Sequence, residues 1–352
     1  MKGNVWLFKK PDLPECHLIR GLASQSIPQL VFMRPEIDPP ASLNMPSIRV
    51  ERLSVRSLWD PSAIKAIRAA LSSERYSTIY ATDTKPLANA IWAARYLPIK
   101  VIAYRGTCSL KRLDPVNWMT YLNPRVDQIV CVSDAVLNYL VQRGLPREKL
   151  VRIYKGHDPY WYKKGTRTQL LDLGIPKDAF VVGCSASMRP LKGVYEMLLS
   201  LKYLPTDHPV RMLLVGQIRD VRIPRLLKHE PCRSKVHVLG HRNDAVAWMG
   251  ACNAFVMPSL YGEGLPKAVI EAMSLEVPPI VTAVGGMSEL VQDRECGIVI
   301  PPASPEAIAE AIRLLYQDPT WTHQLGQQAK QQIESRFHLA SMVKAFLAIL
   351  NG

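Results

Sequence analysis

Apolar runs of five to seven residues alternate with stretches whose apolar positions recur every three or four residues. In the first half the runs are NVWLF (4–8), QLVFM (29–33), SIRVERL (47–53), STIYAT (77–82), KVIAY (100–104) and QIVCVS (128–133). In the second they are FVVGCSA (180–186), RMLLVG (211–216), KVHVLG (235–240), AFVMPS (254–259), PIVTAV (279–284) and GIVIP (297–301). Their length and β-branched content predict strands. Helical spacing marks PSAIKAIRAALSS (61–73), PLANAIWAARYL (86–97), DAVLNYLVQRG (134–144), GVYEMLLSLKYL (193–204), AVAWMGAC (245–252), PKAVIEAMSL (266–275) and PEAIAEAIRLLYQD (305–318). This alternation predicts an α/β protein with parallel sheets covered on both faces. Two sets of strands predict two doubly wound domains. The break falls in IYKGHDPYWYKKGTR (153–167), which is basic, aromatic and aperiodic. The first domain is thus expected at 1–155 and the second at 156–335. An amphipathic helix at 336–352 could pack on either.

Composition agrees and narrows the classes. The 352 residues are 48% hydrophobic and 21% charged, as in a folded globular protein of two domains. Seven scattered cysteines without a C-x-x-C pair argue against a disulfide framework or zinc site and for a reducing cytoplasm. No signal peptide and no membrane-spanning run is expected. Charge is lopsided: residues 1–165 hold 25 Lys/Arg against 13 Asp/Glu, and residues 166–352 hold 19 against 17. A basic field favours anionic lipid, nucleic acid or phosphorylated substrates. No nucleic-acid motif accompanies it, so nucleic acid is not an expected partner.

Candidate chemistry centres on YGEGLPKAVIEAM (261–273), where Glu263 sits between glycines and Glu271 follows eight residues later in a predicted helix. Pro266 suits a first helical turn, where its missing N–H costs nothing. The amides of Gly264 and Leu265 then face outward from a positive helix end, an anion site. Eight helical residues rise about 12 Å, comparable to the span from a ribose to a hexose across a pyrophosphate. One carboxylate could then accept from sugar hydroxyls and the other from ribose hydroxyls. Open α/β sheets bind ligands beyond the carboxyl ends of their strands, so a cleft between the two domains is the expected site.

The stretch 255–312, FVMPSLYGEGLPKAVIEAMSLEVPPIVTAVGGMSELVQDRECGIVIPPASPEAIAEAI, resembles the signature region of retaining glycosyltransferases of family 4. Their fold is GT-B, two Rossmann-like domains facing an inter-domain cleft. Their E-x7-E motif falls on Glu263 and Glu271, and the resemblance implies contact of Glu263 with the donor sugar and of Glu271 with the nucleotide ribose. VVGCSASMRPLKGVYEMLLSL (181–201) is similar to the family's phosphate-binding strand, turn and helix, in which an Arg and a Lys neutralise the diphosphate. Lys192 matches that lysine; the usual arginine position is Ser187 here, and Arg189 is the nearest substitute. The resemblance runs from about 130 to 352. In the first domain FKKPDLPECH (8–17) stands where the family has a Gly-Gly loop, and Arg105 where it often has a histidine. A guanidinium cannot act as a base, so Arg105 either stabilises the leaving phosphate, grips an anionic acceptor, or pairs with a nearby carboxylate.

The resemblance implies a retaining, hexosyltransferase-like enzyme with a nucleotide sugar in the second domain and an acceptor in the basic first. The reaction would be front-face, the leaving phosphate helping to deprotonate the acceptor hydroxyl. No covalent nucleophile can be named. The histidines lack metal-binding spacing, so neither metal nor cofactor is expected; Lys192, an arginine and helix amides would stabilise the leaving group. The expected acceptor is a lipid-linked or surface glycan, and the expected location cytoplasmic, peripheral on the inner face of the cell membrane. A sugar-nucleotide epimerase or phosphorylase on the same fold, or a non-catalytic membrane-associated relative, are the alternatives. Base, sugar, acceptor and linkage stay open.

Overall fold

A computed structural model describes residues 2–351. They form two compact units, 1–156 with 337–352, and 157–336.

The first unit runs β1 (Gly3–Leu7), α1 (Leu13–Ala23), β2 (Gln29–Met33), β3 (Ile48–Arg52), α2 (Pro61–Leu71), β4 (Tyr76–Ala81), α3 (Thr84–Ala93), β5 (Lys100–Arg105), α4 (Pro115–Trp118), β6 (Gln128–Cys131), α5 (Asp134–Gln142) and β7 (Leu150–Arg152). All seven strands pair in parallel, in the order β3-β2-β1-β4-β5-β6-β7, so the winding reverses between β1 and β4. Every residue of β1 and β2 is buried, as expected of central parallel strands with both faces covered. Asp12, Asp60, Asp114 and Ser133 cap α1, α2, α4 and α5 by accepting first-turn amides.

The second unit runs α6 (Arg167–Leu171), β8 (Phe180–Ser185), α7 (Val194–Leu199), β9 (Val210–Val215), α8 (Ile223–Leu226), α9 (Cys232–Lys235), β10 (Val236–Gly240), α10 (Ala245–Gly250), β11 (Ala254–Met257), α11 (Lys267–Ser274), β12 (Pro279–Thr282), α12 (Met287–Leu290), β13 (Ile298–Ile300), α13 (Pro305–Gln317) and α14 (Pro319–Arg336). Its six parallel strands lie in the order β10-β9-β8-β11-β12-β13, and the winding reverses between β8 and β11. Both units are therefore doubly wound α/β sheets.

After α14 the chain returns to the first unit, where α15 (Leu339–Asn351) packs on α1. Phe346 lies 5.3 Å from the ring centroids of both Trp6 and Tyr80. Among the described residues no helix is long and apolar enough to cross a membrane.

Several short elements, β7 among them, carry no sequence signal, and three further elements differ from the sequence reading. Helix α1 begins inside the stretch read as a replaced loop, because Pro14 falls in the first turn, where proline is tolerated. Helix α14 buries Thr322, Leu325, Gly326, Ala329, Gln332 and Ile333, a stripe of mostly small or polar residues without a hydrophobic signal. The 193–204 helix gives way to a tighter 3₁₀ turn at Ser200–Tyr203.

Candidate active site

The carboxyl ends of β8 and β11 flank the reversal of winding in the second unit, which is where open α/β sheets bind ligands. Two loops meet there. After β8 the chain makes a 3₁₀ turn, Pro190–Lys192, and enters α7 through Gly193 at φ +65°. A Cβ on Gly193 would stand 1.8 Å from the Pro258 carbonyl oxygen, so only glycine lets this loop press on the chain leaving β11. The Leu260 amide donates to the Leu191 carbonyl (2.8 Å) and pins the two loops together.

This close approach brings Lys192 and Glu263 into contact. The ammonium donates to Glu263 Oε1 at 2.5 Å, with side chains 18% and 9% exposed. The Ser259 hydroxyl donates to the same oxygen (2.6 Å), and Thr282 at the end of β12 donates to the Ser259 carbonyl (2.6 Å). Gly285, at φ +57°, lets the next loop close on the Glu263 carbonyl, 2.0 Å from where a Cβ would stand. Lys192 and Ser259 thus converge on one carboxylate, while Thr282 and Gly285 hold the loop that carries it. Ser259, Thr282 and Gly285 were not assigned roles from the sequence; in GGMSE (285–289) only the glycine pair offered a signal.

Pro266 caps α11 instead of entering its first turn, so the helix starts at Lys267. Glu271 is then one turn inside, and only the five residues from 267 to 271 follow helical rise; the chain from Glu263 to Pro266 lies outside the helix. Lys267 pairs with Glu271 at 3.0 Å, and burial pushes the Glu271 carboxyl above its usual range while Lys267 opposes that shift. The amides of Gly264 and Leu265 find no acceptor among the described residues, and so remain available to an anion. Arg189 is exposed at the head of the Pro190–Lys192 turn and joins no ion pair among the described residues. On the same edge a cavity of about 560 Å³, lined by Ser185, Ser187, Gln217, Arg219 and His241 among others, opens beyond β8 to β10; the phosphate-binding stretch 181–201 marked its serines, and no sequence motif marked Gln217, Arg219 or His241.

Arg105 ends β5 in the first unit. Its guanidinium lies over the Tyr121 ring (4.7 Å) and donates to the Thr107 carbonyl (3.2 Å) and the Ser109 hydroxyl (2.9 Å). These partners are neutral, so of the three alternatives for Arg105, pairing with a carboxylate is not what holds it. In the same unit, the substituted loop after β1 carries Asp12 and Glu15, both bound by Lys155 (2.5 and 2.8 Å). Burial raises the Glu15 carboxyl to about 7. The Lys155 ammonium is opposed by burial, yet Tyr104 and the two carboxylates hold it charged more firmly than usual.

The family profile described as Glycosyl transferases group 1 matches residues 167–332, and that described as Glycosyltransferase Family 4 matches 16–160. The chain is 24% identical over 287 residues, 72% of each chain, to a capsular polysaccharide biosynthesis glycosyltransferase, CapM, of Staphylococcus aureus. It is 22% identical over 95% of its length, and 93% of the relative's, to the lipopolysaccharide core biosynthesis glycosyltransferase LpsE of Rhizobium meliloti. Among solved structures it superposes on Anabaena HepE, crystallised with UDP and glucose, with a TM-score of 0.82, 22% identity and full coverage of both chains.

Proposed function

We propose a donor and a reaction course from one premise: the chain belongs to the group 1 glycosyltransferases, two-domain α/β enzymes of the GT-B fold. The donor is a nucleoside diphosphate sugar held at the carboxyl edge of the second sheet. The observation that carries this reading is the Lys192–Glu263 contact at the reversal of winding. An ammonium and two unpartnered amides, Gly264 and Leu265, suit a diphosphate. A carboxylate already aligned by Ser259 suits a sugar hydroxyl. Glu271, one turn into α11, is left for the ribose, and Arg189 for a second phosphate contact. UDP is the first nucleotide to test, because HepE was crystallised with it.

Transfer proceeds with retention. Lys192 and the amides take up charge as the bond between the anomeric carbon and the diphosphate breaks. The departing phosphate oxygen accepts the proton of the acceptor hydroxyl, which bonds to the same face of the sugar. Arg105, anchored by neutral groups and free of a carboxylate, offers its charge to an anionic acceptor. The acceptor is a lipid-linked or surface glycan, a reading supported by the names of CapM and LpsE and by the basic first unit, which attaches the enzyme peripherally to anionic membrane.

A thermal-shift screen of UDP, GDP and ADP with their sugars tests the donor: a ligand bound by the native state raises the melting temperature. A nucleoside diphosphate effect that survives in both Lys192→Ala and Glu271→Ala would remove the proposed site. Proton NMR of the first-formed product reads the anomeric configuration; inversion would refute the course.

A further inference from the structure

We propose that an aromatic groove beside the end of α3 docks this chain on an anionic phospholipid bilayer; the inference places the membrane attachment proposed above and rests on it. A cavity of about 680 Å³ opens between the end of α3 with the residues after it and the segment around α4. Trp92, Tyr96, Trp118 and Met119 line it, and are 39%, 81%, 53% and 37% exposed. Large apolar side chains scattered singly on a surface need no explanation, but a contiguous group marks an interaction site. Trp and Tyr settle at the boundary between water and lipid, where an apolar ring and a polar tip are both accommodated. Trp118 already donates its indole N–H to the Arg112 carbonyl (2.8 Å), so its ring can enter lipid without leaving a donor unsatisfied. Tyr96 holds a left-handed backbone, φ +60s in place of the usual negative range (65°), which is uncommon for a bulky residue, and its ring stands in solvent.

Charge identifies the occupant. Residues 91–127 carry six Lys/Arg and two carboxylates: Asp127, paired with Arg125 at 2.7 Å, and Asp114. Asp114 is turned inward to cap α4 by accepting the Val116 amide (3.0 Å). The Arg95 guanidinium lies 5.4 Å from the Trp92 ring and 4.7 Å from the Tyr96 ring, a cation seated on the groove's aromatics. Beyond Trp118, the Arg112 guanidinium reaches the Arg143 carbonyl (3.3 Å) and adds one more cation, while that of Arg143 lies over the Tyr139 ring (5.0 Å). The unit as a whole holds 24 Lys/Arg against 12 Asp/Glu. An anionic bilayer meets both features at once: headgroups face the cations, and the acyl boundary takes the rings. A neutral glycan would use the rings and leave the cations without partners.

The test is co-sedimentation of the full chain with phosphatidylcholine vesicles and with vesicles containing phosphatidylglycerol. Wild type should sediment with the second and be released by salt. Each cation lost near such a surface weakens binding on the order of fivefold, so Arg95→Glu should lower partitioning by at least that factor. Trp92→Ser with Trp118→Ser should do the same, with melting temperatures confirming that these exposed changes leave the fold intact. Trp92→Phe with Trp118→Phe should keep binding but lose most quenching of tryptophan fluorescence by brominated acyl chains. If wild type sediments and the Arg95 and Trp variants sediment equally, the groove is not the docking surface, though membrane attachment stands. If wild type sediments with no vesicle, attachment itself fails and the groove proposal with it. Binding of an anionic glycan in place of vesicles, lost in the same variants, would overturn the proposal in favour of a glycan site.

Discussion

Replacing Lys192 by methionine keeps its aliphatic stem and removes only the charge that faces Glu263. The two side chains are 18% and 9% exposed and touch at 2.5 Å. Removing one member of a buried pair typically costs about 3 to 5 kcal/mol, because the other charge is left without its partner. Here Ser259 still donates to Glu263 Oε1, and one hydrogen bond to a charged group is worth about 1.5 to 3 kcal/mol. The expected loss therefore falls to the bottom of that range or just below it, about 2 to 3 kcal/mol. For a unit spanning residues 157–336, each kcal/mol shifts the melting temperature by roughly 2 to 4 °C, so Lys192→Met should melt roughly 4 to 12 °C lower. Glu263→Gln leaves no buried anion, and in the double variant the Lys192 substitution should cost clearly less than it does alone. Binding should separate the two residues in the opposite way. Calorimetry should show nucleoside diphosphate affinity falling about 10- to 100-fold in Lys192→Met. Glu263→Gln should keep or raise that affinity, since an incoming phosphate no longer competes with a carboxylate for the ammonium, and should lose turnover. Additive stabilities, or equal loss of diphosphate affinity in both single variants, would refute this account of the pair.

Gly193→Ala should destabilise the chain by more than about 2 kcal/mol, because a left-handed backbone is joined there by a clash with the Pro258 carbonyl. Gly240→Ala shares the positive φ but meets nothing within 4 Å, so it should cost only the backbone penalty of roughly 1 to 2 kcal/mol; equal losses in a denaturant titration would count against the close-approach explanation. In the first unit, Glu15 is raised from 4.5 to about 7 by burial, so the folded state holds this proton more tightly than the unfolded chain. Stability from that site is present below pH 4.5 and falls as pH rises towards 7, while Lys155 keeps its charge throughout. Urea titrations between pH 4.5 and 7 should show that slope in wild type and a flatter one in Glu15→Gln; identical slopes would disprove it.

What the sequence made legible and what it hid differ in physical kind. The central strands β1, β2, β4 to β6, β8, β9, β11 and β12 announced themselves because they are buried on both faces and so read as apolar runs, and the edge strands β3, β10 and β13 by their β-branched content. Helix α14 did not, because its buried stripe depends on small residues such as Gly326, which lets the helix lie against the Glu276 carbonyl, where a Cβ would stand at 2.2 Å. Shape complementarity of that sort leaves no hydrophobic signature. The same division holds at the candidate site. Lys192, Glu263 and Glu271 were visible as charged residues at telling positions in one chain segment or another. Their alignment was not, since it depends on Ser259 and Thr282, whose hydroxyls look like any other in a loop, and on Gly193 and Gly285, whose function is the absence of a side chain. Lys155 is a further case, 143 residues from Asp12 in sequence and in contact with it in the fold. Residue type and spacing along the chain reveal which groups carry chemistry; which of them touch is decided by crossover connections that bring distant strand ends to one edge. For this chain the consequence is specific. Substituting Lys192 or Glu263 probes the chemistry directly, whereas substituting Gly193 probes whether the two loops are close enough for that chemistry to take place.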